Sequence, residues 1–284
     1  MVIDAMEASD AIFTLPRPDG SFEPEHAAYL QELGRRRQSV MLAFAPKAAG
    51  TFLRAAAIGA VDGQLARVVH AQGGRDGTPY LPTYVRYFLG GFPQDILVTH
   101  LHMQAFPANR SFIEALDLKP VIMLRSVPDM LLSYIDMLET EGVSPAHWIN
   151  AAIPVRFVDW DFSRRADFMI DVIVPWYASY FATWLDYHRQ APKRVCVLRF
   201  DDLVEDPASV LEVLLAHSRI VRPYKACELA TNTAWQERNE NRFNKGERGR
   251  GITMLSTAQK RRIERLLFET YDLEEWSAEL LPER

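Results

Sequence analysis

Short, continuous apolar runs alternate along this chain with longer stretches of helical spacing. Val40-Met41-Leu42-Ala43-Phe44-Ala45 predicts a strand buried on both faces, and Gly50 to Ala60, rich in Ala and Leu, predicts a helix. Ile96-Leu97-Val98-Thr99-His100 and Val121-Ile122-Met123-Leu124-Arg125 predict two more buried strands. The second of these runs into a helix from Pro128 to about Leu138, with proline well placed in the first turn. Arg194 to Phe200 predicts a fourth strand, and Asp206-Pro207 opens another helix. Strands that are apolar throughout, with helices between them, predict an α/β fold: a three-layer, P-loop-like central parallel sheet flanked by helices. Residues 1–37 form a loosely organised N-terminal extension with Pro16, Pro18 and Pro24, then a helical piece ending in three arginines.

The stretch 140–190 breaks the alternation. It holds four of the six tryptophans and no clear strand, so it reads as a helical excursion beside the sheet, packed there or serving as a lid. No internal repeat is visible, and 284 residues are expected to form a single domain, 1–284. The formal net charge of −5 argues against nucleic acid as the partner, so an anionic ligand needs a local basic patch. Two cysteines, Cys196 and Cys227, form neither a disulfide framework nor a metal pattern, and no metal is expected. The N-terminus lacks the basic start and apolar core of a secretory signal, and Val40 to Val61 is interrupted by Pro46, Lys47 and Arg54. A cytoplasmic protein without an integral membrane segment is the expectation.

Four constellations carry candidate chemistry. Pro46-Lys47-Ala48-Ala49-Gly50-Thr51-Phe52 follows a strand and opens a helix, where small residues and a helix start suit an anion. Ala45 and Gly50 keep the glycine spacing of a nucleoside-triphosphate P-loop. Thr51, however, stands where that loop has its lysine, and no Ser or Thr follows. Arg125 sits at the carboxyl end of a strand, where open α/β sheets bind ligands, and Ser133 lies about two helical turns further on. His100 ends a strand on the same edge and is a candidate general base, with His102 weaker. The segment Asn241 to Gly251 holds four basic residues against one acid, and three glycines, which suits a phosphate clamp.

Together these motifs resemble the cytosolic-type sulfotransferases, which use 3′-phosphoadenosine-5′-phosphosulfate (PAPS) and release 3′-phosphoadenosine-5′-phosphate (PAP). Pro46 to Leu53 is similar to that family's 5′-phosphosulfate loop, Pro-Lys-x-Gly-Thr-Thr-Trp-Leu. Arg125, Asp129, Ser133 and Tyr134 resemble its 3′-phosphate motif, Arg-x-x-x-Asp-x-x-x-Ser-Tyr. Thr99-His100-Leu101 resembles its Lys-Thr-His-Leu-Pro segment, Phe200 to Pro207 its Tyr-Glu-Asp-Leu-x-x-Asp-Pro, and Phe243 to Gly246 its Phe-Arg-Lys-Gly loop. The five blocks keep the family's order.

The resemblance implies sulfuryl transfer to a hydroxyl of a small-molecule, lipid or sugar acceptor, without a metal. His100 becomes the base, and Lys47 neutralises charge on the departing 5′-phosphate. Ala48, Ala49, Gly50 and Thr51 hold that phosphate, and Arg125 and Ser133 hold the 3′-phosphate. Phe52 takes the place of a tryptophan that stacks on adenine, and Phe200 that of a tyrosine. Asn244 replaces an arginine, so Lys245, Gly246, Arg248 or Arg250 is left to complete the 3′-phosphate site. Ala49 falls on the family's glycine and Gly50 on its first threonine. The dimer motif of many animal members is not recognisable. Tyr80, Tyr84, Tyr87, Phe88 and Phe92 either line an apolar acceptor pocket or anchor their loop. A small-molecule kinase and a non-catalytic nucleotide-binding protein are the rival readings.

Overall fold

The computed structural model describes residues 22–65, 84–85, 88, 96–143, 152–237 and 248–282. After α1 (Pro24–Arg36), β1 (Gln38–Leu42) leads into α2 (Gly50–Val61), and β2 is the two-residue piece Gln64–Leu65. Then come β3 (Ile96–His100), α3 (Pro107–Ala115), β4 (Pro120–Leu124) and α4 (Val127–Glu141). A 3₁₀ turn over Val155–Asp159 precedes α5 (Phe162–Val172) and α6 (Val174–Gln190). The last strand, β5 (Cys196–Arg199), is followed by α7 (Phe200–Glu205), α8 (Pro207–His217) and α9 (Tyr224–Gln236). Short helices α10 (Arg250–Met254), α11 (Thr257–Glu264) and α12 (Ser277–Leu280) finish the described chain.

All strand pairs are parallel, in the order β2-β3-β1-β4-β5. Central β1 runs in register with β3, so that Leu42 lies beside His100, and Leu124 of β4 pairs with Arg199 of β5. Val40, Met41, Leu42, Leu97, Val98, Val121, Ile122 and Met123 are wholly buried. That burial on both faces is why these strands read as continuous apolar runs rather than alternating ones. The helices pack in two groups, α2 with α8 and α9, and α4 with α5, α6 and α10. This is the helix-flanked parallel sheet that the pattern predicts.

Boundaries shift by up to three residues. The first strand spans Gln38–Leu42 rather than 40–45, although the Ala43 N–H still donates to the Val121 carbonyl before the chain turns away. The fourth predicted strand shortens to Cys196–Arg199 because Phe200 already begins α7. The aromatic excursion is helical over α5 and α6, and its Tyr177, Tyr180, Phe181 and Trp184 are fully buried. Among the described residues no helix is long and apolar enough to cross a membrane.

Candidate functional site

The parallel topology brings three distant segments together at the carboxyl ends of β1, β3 and β4. The first is the loop between β1 and α2. Lys47 and Ala49 both adopt the left-handed backbone, at φ 69° and 62°. That conformation is unfavourable for residues with a Cβ by roughly 1 kcal/mol or more, and strain of this kind collects at ligand loops. It folds the loop tightly enough for the Ala48 N–H to donate to the Ala45 carbonyl, 3.2 Å. α2 then starts at Gly50 with no side-chain cap on Ala49. The first N–H groups of a helix point out of its start, and here no cap side chain covers them, so they and the helix dipole face the strand ends.

His100 is the second element. It ends β3, is buried, and lies edge-on to Phe44 and to His102, with ring centroids 6.3 and 5.0 Å apart. Its ring is pressed against the loop: a Cβ added at Gly50 would sit 2.2 Å from His100 Nε2. Only glycine at position 50 lets the ring approach the loop backbone this closely. His102 pairs its Nδ1 with the Phe44 carbonyl, 2.7 Å.

The third element is Arg125, just past β4. Its Nη1 donates to the Lys47 carbonyl, 2.6 Å, which ties the arginine to the loop. Its guanidinium lies over the Phe200 ring, 3.9 Å from the centroid. Burial pushes Arg125 down to about 10, a drop that nearby Asp129 partly opposes, so it remains cationic at neutral pH. Arg125 Nε is buried with no hydrogen-bond partner among the described residues. A buried, unsatisfied donor on a cation is costly, and an anion bound there would satisfy it. Ser133 is buried on α4, two turns on from the start of that helix.

The remaining expected residues fall into place unevenly. Phe52 is 2% exposed, so its faces are in the core, and it meets Trp235 of α9 edge-on at 6.3 Å. Trp235, 44% exposed, lies outside the five sequence blocks. Its signal is a tryptophan closing a helix just before the basic segment, in a stretch otherwise polar. Phe200 is buried and used on Arg125. Arg248 donates to the Asp201 carbonyl, 3.0 Å, and ion-pairs with Asp201 and Glu205 of α7. Arg250 pairs with Asp136, 2.8 Å. Lys245 and Gly246 lie outside the described residues, as do Tyr80, Tyr87 and Phe92. Tyr84 and Phe88 are buried, and Tyr84 donates to Thr99 Oγ1 on β3, 3.0 Å. Among the described residues no cluster of three or more His, Cys, Asp or Glu is placed to hold a metal ion.

Helix α6 supports the whole arrangement. Tyr177 donates to the Pro46 carbonyl, 3.0 Å, Tyr180 to the Ala43 carbonyl, and Trp184 Nε1 to the Met103 carbonyl, 2.8 Å. The hydroxyls of Tyr177 and Tyr180 are held well above their usual range by burial, so they stay protonated donors.

A family model described as a sulfotransferase domain matches residues 91–265, more than half of the chain. The match takes in His100, Arg125, Ser133, Phe200 and Arg248 and begins after the 45–52 loop. No curated protein sequence matches. Among solved structures, the mouse sulfotransferase SULT7A1 complexed with PAP is similar, with a TM-score of 0.60 at 14% identity, covering 87% of this chain and 92% of that one. Retinol dehydratase in complex with androsterone and the inactive cofactor PAP aligns over 95% of this chain and 94% of that one, at 9% identity and a TM-score of 0.47.

Proposed function

The chain belongs to the sulfotransferase family, and on that premise we propose that it moves the sulfuryl group of PAPS to a hydroxyl of a small-molecule acceptor, with His100 as the base. PAPS brings an already activated sulfuryl group, so the residues here need only bind, orient and move one proton. The observation that carries the reading is Arg125. It is a cation with a buried, unsatisfied Nε, bonded to the carbonyl of Lys47 and held flat by Phe200. That is a site for an anion beside the phosphate loop but separate from it, as a nucleotide with phosphates at two ends requires.

In this reading the backbone N–H groups at the start of α2, from Gly50 and Thr51, hold the 5′-phosphate. Ala48 and Ala49 shape that turn. Lys47 offsets the charge that grows on the 5′-phosphate as it leaves. Arg125 and Ser133 hold the 3′-phosphate, with Lys245, Gly246 and Arg248 on the adjoining basic segment. Trp235, with its larger open face, takes the adenine, and Phe52 backs it from the core. His100 reaches the reacting centre from the loop side, where its contact with Gly50 places Nε2 next to the helix start. There it accepts the hydroxyl proton as the acceptor attacks.

The test is turnover of PAPS carrying ³⁵S against a panel of a phenol, a sterol and a sugar, with wild type and His100→Ala compared. Transfer to at least one acceptor that falls by about a hundredfold or more in the variant, with PAP binding retained, is the expected result. Equal turnover in the two proteins removes His100 as the base.

A further inference from the structure

Asp129 has no assigned part in the reaction, yet it is the carboxylate buried deepest beside Arg125. It lies in the first turn of α4 and is 5% exposed. Both of its oxygens accept backbone N–H groups from the far side of the basic segment: Gly249 donates to Oδ2, 2.8 Å, and Gly251 to Oδ1, 2.7 Å. Gly249 has a φ of 75°, and a Cβ at Gly251 would lie 2.2 Å from the carbonyl carbon of Pro128. The strand of chain at 248–251 is thus drawn flat onto the start of α4. Its side chains spread to either flank, Arg250 to Asp136 farther along α4 and Arg248 to Asp201 and Glu205 on α7. α7 in turn begins with the Phe200 that lies on Arg125. Residues 248–251 therefore form a strap that ties together the two helices flanking Arg125, with Asp129 as its buckle.

We propose that Asp129 is a positioning residue for the 3′-phosphate: it fixes the strap, and the strap fixes the wall of the Arg125 site. The proposal rests on the reading of Arg125 as the 3′-phosphate ligand. Simple electrostatics gives the opposite expectation. A carboxylate beside Arg125 repels a phosphate, so its neutralisation alone would tighten phosphate binding. The two accounts differ in sign, which makes the role testable without reference to stability.

The experiment is calorimetric titration of wild type and Asp129→Asn with two probes, PAP and adenosine 5′-monophosphate, which lacks the 3′-phosphate. Wild type should bind PAP far more tightly than the monophosphate. If it binds both alike, the reading of Arg125 fails before the proposal is reached. In Asp129→Asn an amide cannot accept both N–H groups, and the loss of such bonds should weaken PAP by on the order of tenfold or more while leaving the monophosphate within about twofold. Turnover should show the same split, with KM for PAPS raised and kcat held. Tighter PAP binding, unchanged PAP binding, or equal weakening of both probes overturns the proposal. Should Asp129→Asn not fold, Gly249→Ala strains the strap from the other end. Its new Cβ meets nothing within 4 Å, and the left-handed backbone resists it. It is expected to weaken PAP selectively by a few fold, and loss of that selectivity counts against the proposal in the same way.

Discussion

Neighbouring positions 49 and 50 show how much one Cβ decides. Ala49 carries a Cβ in a left-handed conformation that glycine adopts freely, while Gly50 lacks a Cβ where the His100 ring leaves no room for one. The sequence resemblance already marks both as departures, alanine on a glycine and glycine on a threonine. What it could not say is that the departures have opposite consequences, because that depends on a backbone angle and on a residue 50 positions away. Ala49→Gly should raise stability by about 1 kcal/mol, and Gly50→Ala should cut turnover at least about tenfold by displacing His100. Urea denaturation and the sulfuryl-transfer assay, run on both variants, check the pair. An Ala49→Gly protein that is less stable, or a Gly50→Ala protein with full turnover, contradicts the geometry. Arg125, His100 and Lys47 were legible from strand ends and loop spacing. Asp129 was visible only as one letter of a motif, since its partners lie 120 and 122 residues away.

Among the elements, the strands and α2 were the most legible, because burial on two faces leaves an unbroken apolar run and a helix start leaves small residues. Helix α6 was less so. Its aromatic content suggested either packing or a lid, and the structure makes the described part a clamp. Tyr177, Tyr180 and Trp184 lie on one face at helical spacing and bond to carbonyls of the chain just past β1 and β3. These carbonyls lie where the chain leaves the sheet after β1 and β3, so they need donors from elsewhere. Tyr177→Phe keeps the ring and removes the donor to Pro46. It should cost about 1–3 kcal/mol, the usual penalty for a buried carbonyl stripped of its partner. A lower denaturation midpoint at unchanged slope is the expected trace. No change would mean that the loop does not depend on α6.

On the scale of the whole molecule, a chain of net charge −5 brings two basic residues and a histidine to one end of its sheet. The strand order does this: β1 lies between β3 and β4, so Lys47, His100 and Arg125 converge though they are spread over 79 residues of chain. That convergence is what the alternation of strands and helices predicts. The strap at 248–251 comes from the opposite end of the sequence, and its docking on α4 follows from contacts that no local pattern encodes. These groups are expected to accept a nucleotide with phosphates at both the 3′ and 5′ positions, rather than a magnesium-bound triphosphate. Thermal unfolding with PAP and with ATP-magnesium in parallel tests this most directly. A ligand at about 100 times its dissociation constant adds roughly 2.7 kcal/mol, which is several degrees for a chain of this size. That shift is expected with PAP, and little with ATP-magnesium. A shift with ATP-magnesium alone would contradict this.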